Sequence, residues 1–388
     1  MESETKLNRL QRRRRVALVL LIGLAALIAW LGLTSPGHAV VRAGLLVLDI
    51  LPQSPISPLR VFTSEPVVEQ VRFSYEGGTA EGRVFRPSGG GPHSAAILSL
   101  GYGPDPDDPL VLQVSEDLAR VGIVVLIPNT LGLHMGNLMP EEVEVLVGAF
   151  EYLTAQSYVK PDRIGYAGFC VGSSIALVAA EDPRINKQVS YVNVFGGYYD
   201  ARDLIRAVAA RSSRYEGQEF AWTPHQQTAI LFVQNVLLHL DVPQERQTLR
   251  QLIQTTPEDP TALLAELTPL GRLGYSSVTG SDPATVDALL ATIPEQISAE
   301  LKLISPSTGI DRLEAKVFIM HDVSDPYVPV TESYRLADAI PNAEQKVYAQ
   351  FTLFDHVRPS RSMNWLHLLR EAIKLFVYLC RVMIYVTA

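Results

Sequence analysis

The 388-residue sequence predicts an α/β fold, in which helices cover both faces of a mostly parallel sheet. Short apolar segments alternate with helical ones along residues 66–200 and again along residues 310–388. A mostly helical stretch at 201–309 separates the two regions, and we interpret it as a cap inserted into a single domain. Because right-handed crossovers join parallel strands, we expect both regions to contribute to one sheet.

The strand predictions rest on short apolar runs that are bounded by glycine, proline or polar turn residues. Strands are predicted at residues 67–75, 81–85, 95–100, 122–128, 163–169, 189–195, 316–320 and 345–351. Helices are predicted at residues 110–120, 141–155, 171–180 and 331–339, and from 364 onward. Glu76-Gly77-Gly78, between the first two strands, predicts a hairpin turn.

An uncharged apolar run follows four arginines near the start of the chain. It occupies residues 16–33, and at ~1.5 Å per residue a helix of this length crosses most of a bilayer's apolar core. We therefore expect a basic cytoplasmic tail at 1–15, a transmembrane anchor at 16–34 and a linker at 35–65, with the folded domain outside the cytoplasm. The alternative is a signal peptide cleaved near Gly37-His38-Ala39, which would release a secreted protein.

Two further apolar stretches carry charges and are not expected to span a membrane. Residues 40–51 include Arg42 and Asp49, so this stretch is expected to lie along the membrane interface or to pack on the folded domain. The C-terminal stretch includes Lys374 and Arg381 and is interpreted as the last helix of the fold.

The composition excludes several classes of function. The chain is 47% hydrophobic and 19% charged, which suits a large core and is too apolar for disorder. A net charge of −8 does not attract nucleic acid, so no such partner is expected. The two cysteines, Cys170 and Cys380, and the eight histidines have no metal-ligand spacing, so no bound metal is expected.

The segment Gly168-Phe169-Cys170-Val171-Gly172 lies between a predicted strand and a predicted helix. A nucleophile elbow has this arrangement, because a sharp turn between small residues raises the central side chain above the sheet. The helix N-terminus that follows would favour a thiolate. Cys170 is therefore the candidate nucleophile, and a buried structural cysteine is the alternative interpretation.

An acid and a histidine should follow such a nucleophile in that order. Asp325 lies in the loop after the strand at 316–320, and His356 follows the last strand. We expect His356 to take the proton of Cys170, and Asp325 to orient the imidazole. Asp322 and Asp355 are the alternative acids, whereas the other seven histidines lack a comparable placement.

The developing oxyanion needs hydrogen-bond donors close to Cys170. The residue after the nucleophile, Val171, is expected to supply one backbone N–H. The loop Gly101-Tyr102-Gly103 follows the strand at 95–100, and the Tyr102 N–H is the candidate for the second donor. The glycines of this loop could instead serve only a tight turn.

Together these segments resemble the dienelactone hydrolase family of α/β-hydrolases. The matching parts are RPSGGGPHSAAILSLGYG, PDRIGYAGFCVGSS, HDVSDPYVP and FDHV, and the resemblance covers roughly residues 66–200 and 310–380. It implies a Cys-Asp-His triad that hydrolyses an ester or lactone through an acyl-cysteine, without a metal or an organic cofactor. The chain departs from the family in its N-terminal apolar run, its cap and the absence of a glutamate from LSLGYG.

The sequence thus predicts a membrane-anchored hydrolase of small-molecule carboxylic esters, lactones or thioesters, and leaves protein partners open. An acyltransferase with the same triad and a catalytically silent binding module are the alternatives. Aromatic and apolar residues of the cap suit an apolar acyl chain or simply form a helix core: Tyr215, Phe220, Trp222, Phe232, Leu237 and Leu238.

Overall fold

A computed structural model describes residues 21, 23–50, 57–102, 106–359 and 363–387. Its strands are β1 Val67–Tyr75, β2 Gly78–Arg86, β3 His93–Ser99, β4 Ile123–Pro128, β5 Val159–Phe169, β6 Tyr191–Phe195, β7 Ser212–Tyr215, β8 Gln218–Ala221, β9 Lys316–Asp322, β10 Lys346–Phe351, β11 Phe354–Asp355 and β12 Arg358–Pro359. Eight of them form one sheet in the order β1-β2-β4-β3-β5-β6-β9-β10.

Strand β2 runs antiparallel to both of its neighbours, and the pairs from β4 to β10 are all parallel. This strand order, with its antiparallel second strand, is that of the α/β-hydrolase sheet. The predicted α/β-hydrolase fold is therefore confirmed, and every strand predicted from the sequence is present within a few residues of its expected bounds.

The helices are α1 Gly23–Leu33, α2 Ser35–Ile50, α3 Pro58–Phe62, α4 Pro109–Arg120, α5 Leu131–His134, α6 Glu141–Thr154, α7 Val171–Ala180, α8 Ala201–Ala210, α9 Gln226–His239, α10 Pro243–Thr255, α11 Thr261–Ala265, α12 Pro269–Thr279, α13 Pro283–Leu290, α14 Glu295–Leu303, α15 Thr331–Ala339 and α16 Trp365–Thr387. Helices α6, α7 and α15 pack on one face of the sheet, and α2, α4 and α16 pack on the other. Alternate residues of a strand point to opposite faces of the sheet. In β9, Val317 and Ile319 lie in the buried cluster that contains α7, and Phe318 and Met320 lie in the cluster that contains α16.

The segment between β6 and β9 forms the cap. It contains α8 to α14, and it also contains the hairpin β7–β8, which the sequence analysis did not predict. The core of the cap is made by α9, α10 and α12, whose residues Val236, Leu249 and Leu270 belong to one buried cluster. The strands of the hairpin are four residues each, and β8 is exposed along its length, so the apolar alternation that marks a strand is missing.

The stretch at 35–65, expected to be a linker, contains helices α2 and α3. Ala39, Ala43, Leu46 and Val47 recur on one face of α2 and are buried in the cluster that also contains α16. Of the two placements considered for the apolar stretch at 40–51, the structure therefore shows packing on the folded domain.

The N-terminal apolar run is only partly described, since residues 16–20 and 22 lie outside the described residues. Within the described part of the chain, no single helix is long and apolar enough to cross a bilayer. Helices α1 and α2 together meet that length and composition, but their axes bend by 88° at the break between them. Thr34 stabilises this bend, since its hydroxyl donates to the Trp30 carbonyl and accepts from the Gly37 N–H.

A carboxyl group is buried at the C-terminal end of α7. Glu181 is 1% exposed, and its Oε1 has no hydrogen-bond partner among the described residues. Burial raises the pKa of Glu181 to about 9, although the charge of Arg312 acts in the opposite direction. At neutral pH the folded protein therefore holds a proton on Glu181. The unfolded chain has released this proton, because an ordinary glutamate has a pKa of ~4.3.

Because the folded-state pKa of Glu181 is raised, the stability that this proton contributes is fully present below about pH 4 and is lost progressively as the pH rises towards 9. We expect Glu181→Gln to flatten this decline, so that its Tm falls by at least ~2 °C less than wild type between pH 6 and pH 9. Thermal unfolding across this range checks it, with Glu314→Gln, an exposed position, as control. Parallel curves for wild type and Glu181→Gln would contradict a protonated Glu181.

Candidate active site

The turn between β5 and α7 holds Cys170 in a backbone conformation that side-chain-bearing residues rarely adopt. Its φ is 54° and its ψ is −138°. A Cβ on Gly168 would lie 2.2 Å from the Cα of Ser173, and a Cβ on Gly172 would lie 2.2 Å from the carbonyl oxygen of Leu100. Both positions therefore require glycine, which explains the G-x-C-x-G spacing in terms of close backbone approach.

The loops after β9 and β10 bring Asp325 and His356 into contact. The Nδ1 of His356 lies 2.7 Å from Oδ2 of Asp325. The other carboxylate oxygen, Oδ1, accepts hydrogen bonds from the backbone N–H groups of Tyr327 and Val328, at 2.7 and 3.1 Å. Asp325 is thus fixed by its own loop while it fixes the orientation of the His356 ring.

Burial alone would raise the pKa of Asp325, but its contacts with His321 and His356 lower that pKa well below its usual range. The carboxylate is consequently ionised at neutral pH and stabilises positive charge on the imidazole. Asp322 has a different role, because its two oxygens accept from the backbone N–H groups of Ser324 and Phe354, each at 2.9 Å. Asp355 is exposed. Of the three candidate acids, only Asp325 has its carboxylate hydrogen-bonded to the His356 ring.

The remaining ring nitrogen of His356, Nε2, is buried next to Cys170. It forms no hydrogen bond of standard geometry among the described residues, although the His356 ring interacts with the Cys170 side chain. Catalytic pairs commonly tighten their contact only when substrate binds. Burial disfavours the charged ring, but the electrostatic interaction with Cys170 and the bond to Asp325 outweigh it and raise the pKa of His356 to about 10. The ring is therefore suited to receive a proton from the cysteine.

Three aromatic side chains around the Asp325–His356 pair were not identified from the sequence. The ring of Tyr327 stacks on His356 with 4.5 Å between centroids, and the ring of His225 stacks on Tyr327 at 4.6 Å. His321, buried in β9, places its Nε2 3.4 Å from Oδ2 of Asp325 and 3.0 Å from the carbonyl oxygen of Val328. Tyr327 lies two residues after Asp325. This proximity to the candidate acid is the sequence signal that could have identified Tyr327 as part of the site.

The cap is fixed to the loop that carries the acid. The Trp222 indole N–H donates to the carbonyl oxygen of Asp325 at 2.8 Å, and the backbone N–H of His225 donates to that of Pro326 at 2.6 Å. These bonds join the cap hairpin and the start of α9 to the acid loop. Displacement of the cap would therefore disturb Asp325 and, through it, His356.

The predicted oxyanion donors, Tyr102 and Val171, line the same cavity as Cys170 and His356. Val171 is the first residue of α7, and Tyr102 follows β3. The Tyr102 hydroxyl interacts with Asn235 of the cap, and burial raises its pKa, so the phenol stays protonated. Gly103, the second glycine of this loop, lies outside the described residues.

The cavity has a volume of about 620 Å³ and lies between the cap and the carboxyl ends of the strands. Both cysteines, Cys170 and Cys380, are free thiols. In the part of the chain that the structure describes, no three histidine, cysteine or acidic residues are grouped as a metal site would need. The cavity presents a thiol, Cys170, and an imidazole, His356, whose ring is hydrogen-bonded to the carboxylate of Asp325.

The strand order, the sharp turn at Cys170 and the Asp325–His356 bond are features of the α/β-hydrolase fold. Residues 109–205, which include the elbow, match the model of the Dienelactone hydrolase family. The predicted resemblance to that family is thus confirmed for this segment of the chain.

A curated relative from Bradyrhizobium sp, described as a probable 2-oxo-3-(5-oxofuran-2-ylidene)propanoate lactonase, is 30% identical over 99 residues. That match covers 21% of this chain, and this chain spans 39% of the length of the relative. The similarity therefore concerns one segment of each protein.

Solved structures are similar at lower identity. The crystal structure of 2,6-dihydroxy-pseudo-oxynicotine hydrolase is 15% identical with a TM-score of 0.44, and the match covers 82% of this chain and 68% of the other. A puromycin-hydrolyzing peptidase of Mycobacterium tuberculosis is 16% identical with a TM-score of 0.48, and the match covers 85% of this chain and 39% of the other. The fold assignment rests on the strand order of this chain rather than on these similarities.

The elbow geometry makes a prediction for Gly172. We expect Gly172→Ala to lower the free energy of unfolding by about 1–3 kcal/mol, because the added Cβ meets backbone atoms that cannot move aside. Chemical denaturation checks it, with Gly90→Ala as the matched control, since a Cβ there meets no atom within 4 Å. Equal stability of the two variants would show that the strand and helix do not approach as described.

Proposed function

We propose that the protein is a membrane-anchored hydrolase of carboxylic esters, lactones or thioesters, and that it acts through an acyl-cysteine on Cys170. The observation that carries the proposal is the 2.7 Å bond between Asp325 and His356, since the His356 ring lines the same cavity as Cys170. A nucleophile, a base and an orienting acid in one cavity are what acyl transfer requires.

In the acylation step, the proton of the Cys170 thiol passes to Nε2 of His356, and the thiolate attacks the substrate carbonyl carbon. A C–S bond forms, and the oxyanion accepts hydrogen bonds from the backbone N–H groups of Val171 and Tyr102. The bond to the leaving alcohol or thiol then breaks, and the imidazolium returns its proton to that group. Asp325 stabilises the charged ring throughout.

In the deacylation step, a water molecule gives a proton to Nε2 of His356 and attacks the thioester carbonyl. Its oxygen bonds to the acyl carbon, the C–S bond breaks, and the proton returns to the sulfur of Cys170. The products are a carboxylic acid and the resting enzyme. No redox change occurs, so none of these steps requires an organic cofactor.

A lactone is one substrate form that the relative favours, since it is described as a lactonase. An acyltransferase is the second candidate function. The observation in its favour is the cap, which covers the cavity and can limit the access of water to the thioester. The two functions differ in the molecule that attacks the acyl-cysteine. It is water in a hydrolase and a second substrate in an acyltransferase.

The proposed triad predicts which variants lose turnover of a short p-nitrophenyl ester. We expect Cys170→Ala and His356→Ala each to lower kcat/KM by at least ~10³-fold, because nucleophile and base act as a unit. Cys380→Ala is the matched control and should retain the wild-type rate, since that cysteine lies in α16 and does not line the cavity. Steady-state kinetics on the three purified variants check this.

Iodoacetamide labelling supplies the second readout for the same variants, with selective modification of Cys170 expected in the wild type. Undiminished turnover in Cys170→Ala would contradict the proposal. An absence of both turnover and selective labelling would favour a binding module. A burst followed by slow turnover that an added alcohol accelerates would instead identify an acyltransferase.

The membrane anchor is proposed from the exposed apolar surface of the N-terminal helix. Large apolar side chains of this segment are exposed to a degree unusual for a folded domain: Leu21, Leu24, Leu27, Ile28, Trp30 and Leu33. The uncharged run at 16–33 and the preceding arginines add the composition of an anchor with a cytoplasmic N-terminus. Cleavage as a signal peptide is the alternative.

Two charges in the anchor should release the protein from membranes. We expect the double variant Leu24→Asp, Leu27→Asp to move from the membrane pellet to the supernatant on alkaline carbonate extraction, because a central aspartate costs ~2.5–3.5 kcal/mol in a spanning helix. Val242→Asp, an exposed apolar position in the cap, is the control and should stay in the pellet. Retention of the double variant in the pellet would exclude α1 as the anchor.

A further inference from the structure

The cavity that holds Cys170 extends well beyond the reacting atoms. Its volume of about 620 Å³ is within the range of pockets that enclose a whole small-molecule ligand. Cap helices supply much of its wall, and many of the side chains that face it are aliphatic, among them Leu204, Ile205, Val208, Leu231, Leu270 and Leu273. Such a wall favours an apolar chain, because a polar ligand would lose hydrogen bonds to water without replacement.

Helix α9 gives this cavity a direction. Its N-cap residue, His225, stacks on Tyr327, and Tyr327 in turn stacks on His356, so this end of the helix adjoins the reaction centre. From Thr228 to His239 the helix rises ~16 Å at ~1.5 Å per residue. Both of these residues line the cavity, so the cavity follows α9 away from His356.

A polar pair faces the cavity at the far end of α9. His239 Nε2 lies 3.0 Å from Oε2 of Glu300, and its Nδ1 donates to the backbone carbonyl of Asn235 at 2.8 Å. Gln296 donates to the other carboxylate oxygen, Oε1, at 3.2 Å. The side chains of His239 and Glu300 are 25% and 30% exposed, and both line the cavity.

The His239–Glu300 pair joins α9 to α14, and it also lies on the cavity wall, where a ligand in the cavity can contact it. A carboxylate has about four lone-pair sites, and among the described residues the His239 and Gln296 contacts occupy two of those on Glu300. A hydroxyl group that reached Glu300 could donate to a remaining site, whereas a terminal methyl group would cover the carboxylate without a hydrogen bond.

We propose that the acyl group of the substrate is an apolar chain that runs from Cys170 along α9 and carries a hydroxyl group that donates to Glu300. The inference rests on the proposed function, because it assigns the acyl group of the Cys170 thioester. The aliphatic wall selects the chain, and the His239–Glu300 pair selects the hydroxyl group and the distance at which the chain carries it.

The experiment uses the full chain in lipid nanodiscs with p-nitrophenyl esters of acetic, dodecanoic and hydroxydodecanoic acids, the last with the hydroxyl at carbon 8, 10 or 12. We expect kcat/KM to rise at least ~10-fold from acetate to dodecanoate through burial of the chain. The best hydroxylated ester should gain a further ~10-fold through its hydrogen bond to a charged group. The other hydroxyl positions should gain less.

Glu300→Leu removes the acceptor and should abolish the gain, so that dodecanoate is hydrolysed at least as well as any hydroxylated ester. Glu295→Leu is the matched control, because it makes the same change in α14 at an exposed position and should retain the gain. Iodoacetamide labelling of Cys170 at the wild-type rate, together with an unchanged Tm, shows that Glu300→Leu is folded.

The outcomes separate this inference from the proposed function. If acetate is hydrolysed through Cys170 but the hydroxyl group brings no gain, or if the gain persists in Glu300→Leu, the assignment of the acyl group is wrong and the hydrolase proposal stands. If no ester is hydrolysed through Cys170, the proposed function fails and this inference fails with it.

Discussion

Close backbone approach around Cys170 is the constraint on which the site depends. A Cβ on Gly101 would lie 2.6 Å from the Cβ of Cys170, and Gly168 and Gly172 are equally crowded by Ser173 and Leu100. Because these three positions lack side chains, β3, β5 and α7 meet around one sulfur atom. The turn is kept by hydrogen bonds as well, since the Cys170 N–H donates to the carbonyl of Phe195 at 2.8 Å. The packing of the sheet core thus maintains the strained backbone conformation of Cys170.

The cap and the catalytic loops form a second, connected unit. Trp222 and His225 hold the backbone of the Asp325 loop, and Tyr327 lies between the rings of His225 and His356. The position of the cap is therefore linked to the orientation of the imidazole. This arrangement lets one insertion both shape the cavity beside Cys170 and support the His356 ring.

The sequence predicted the strands of the sheet well, because buried parallel strands are short apolar runs with clear boundaries, as at 122–128. It also placed Asp325 and His356 in loops that the structure brings together, since both follow strand ends. It left the apolar stretch at 40–51, which belongs to α2, between the membrane interface and the folded domain, because the buried face of α2 is defined by α16, far along the chain. Nor did it identify His321 or His225, because only tertiary contacts distinguish them from ordinary strand and loop histidines.

The proposed mechanism requires Cys170 to carry the acyl group during turnover. Intact-mass and peptide mass spectrometry of the wild-type protein, quenched in acid during hydrolysis of a slowly deacylating ester, tests this requirement most directly. We expect one added acyl mass on the peptide that contains Cys170, removed by neutral hydroxylamine as thioesters are. Hydrolysis with no adduct on that peptide, or with an adduct on Cys380 alone, would contradict it.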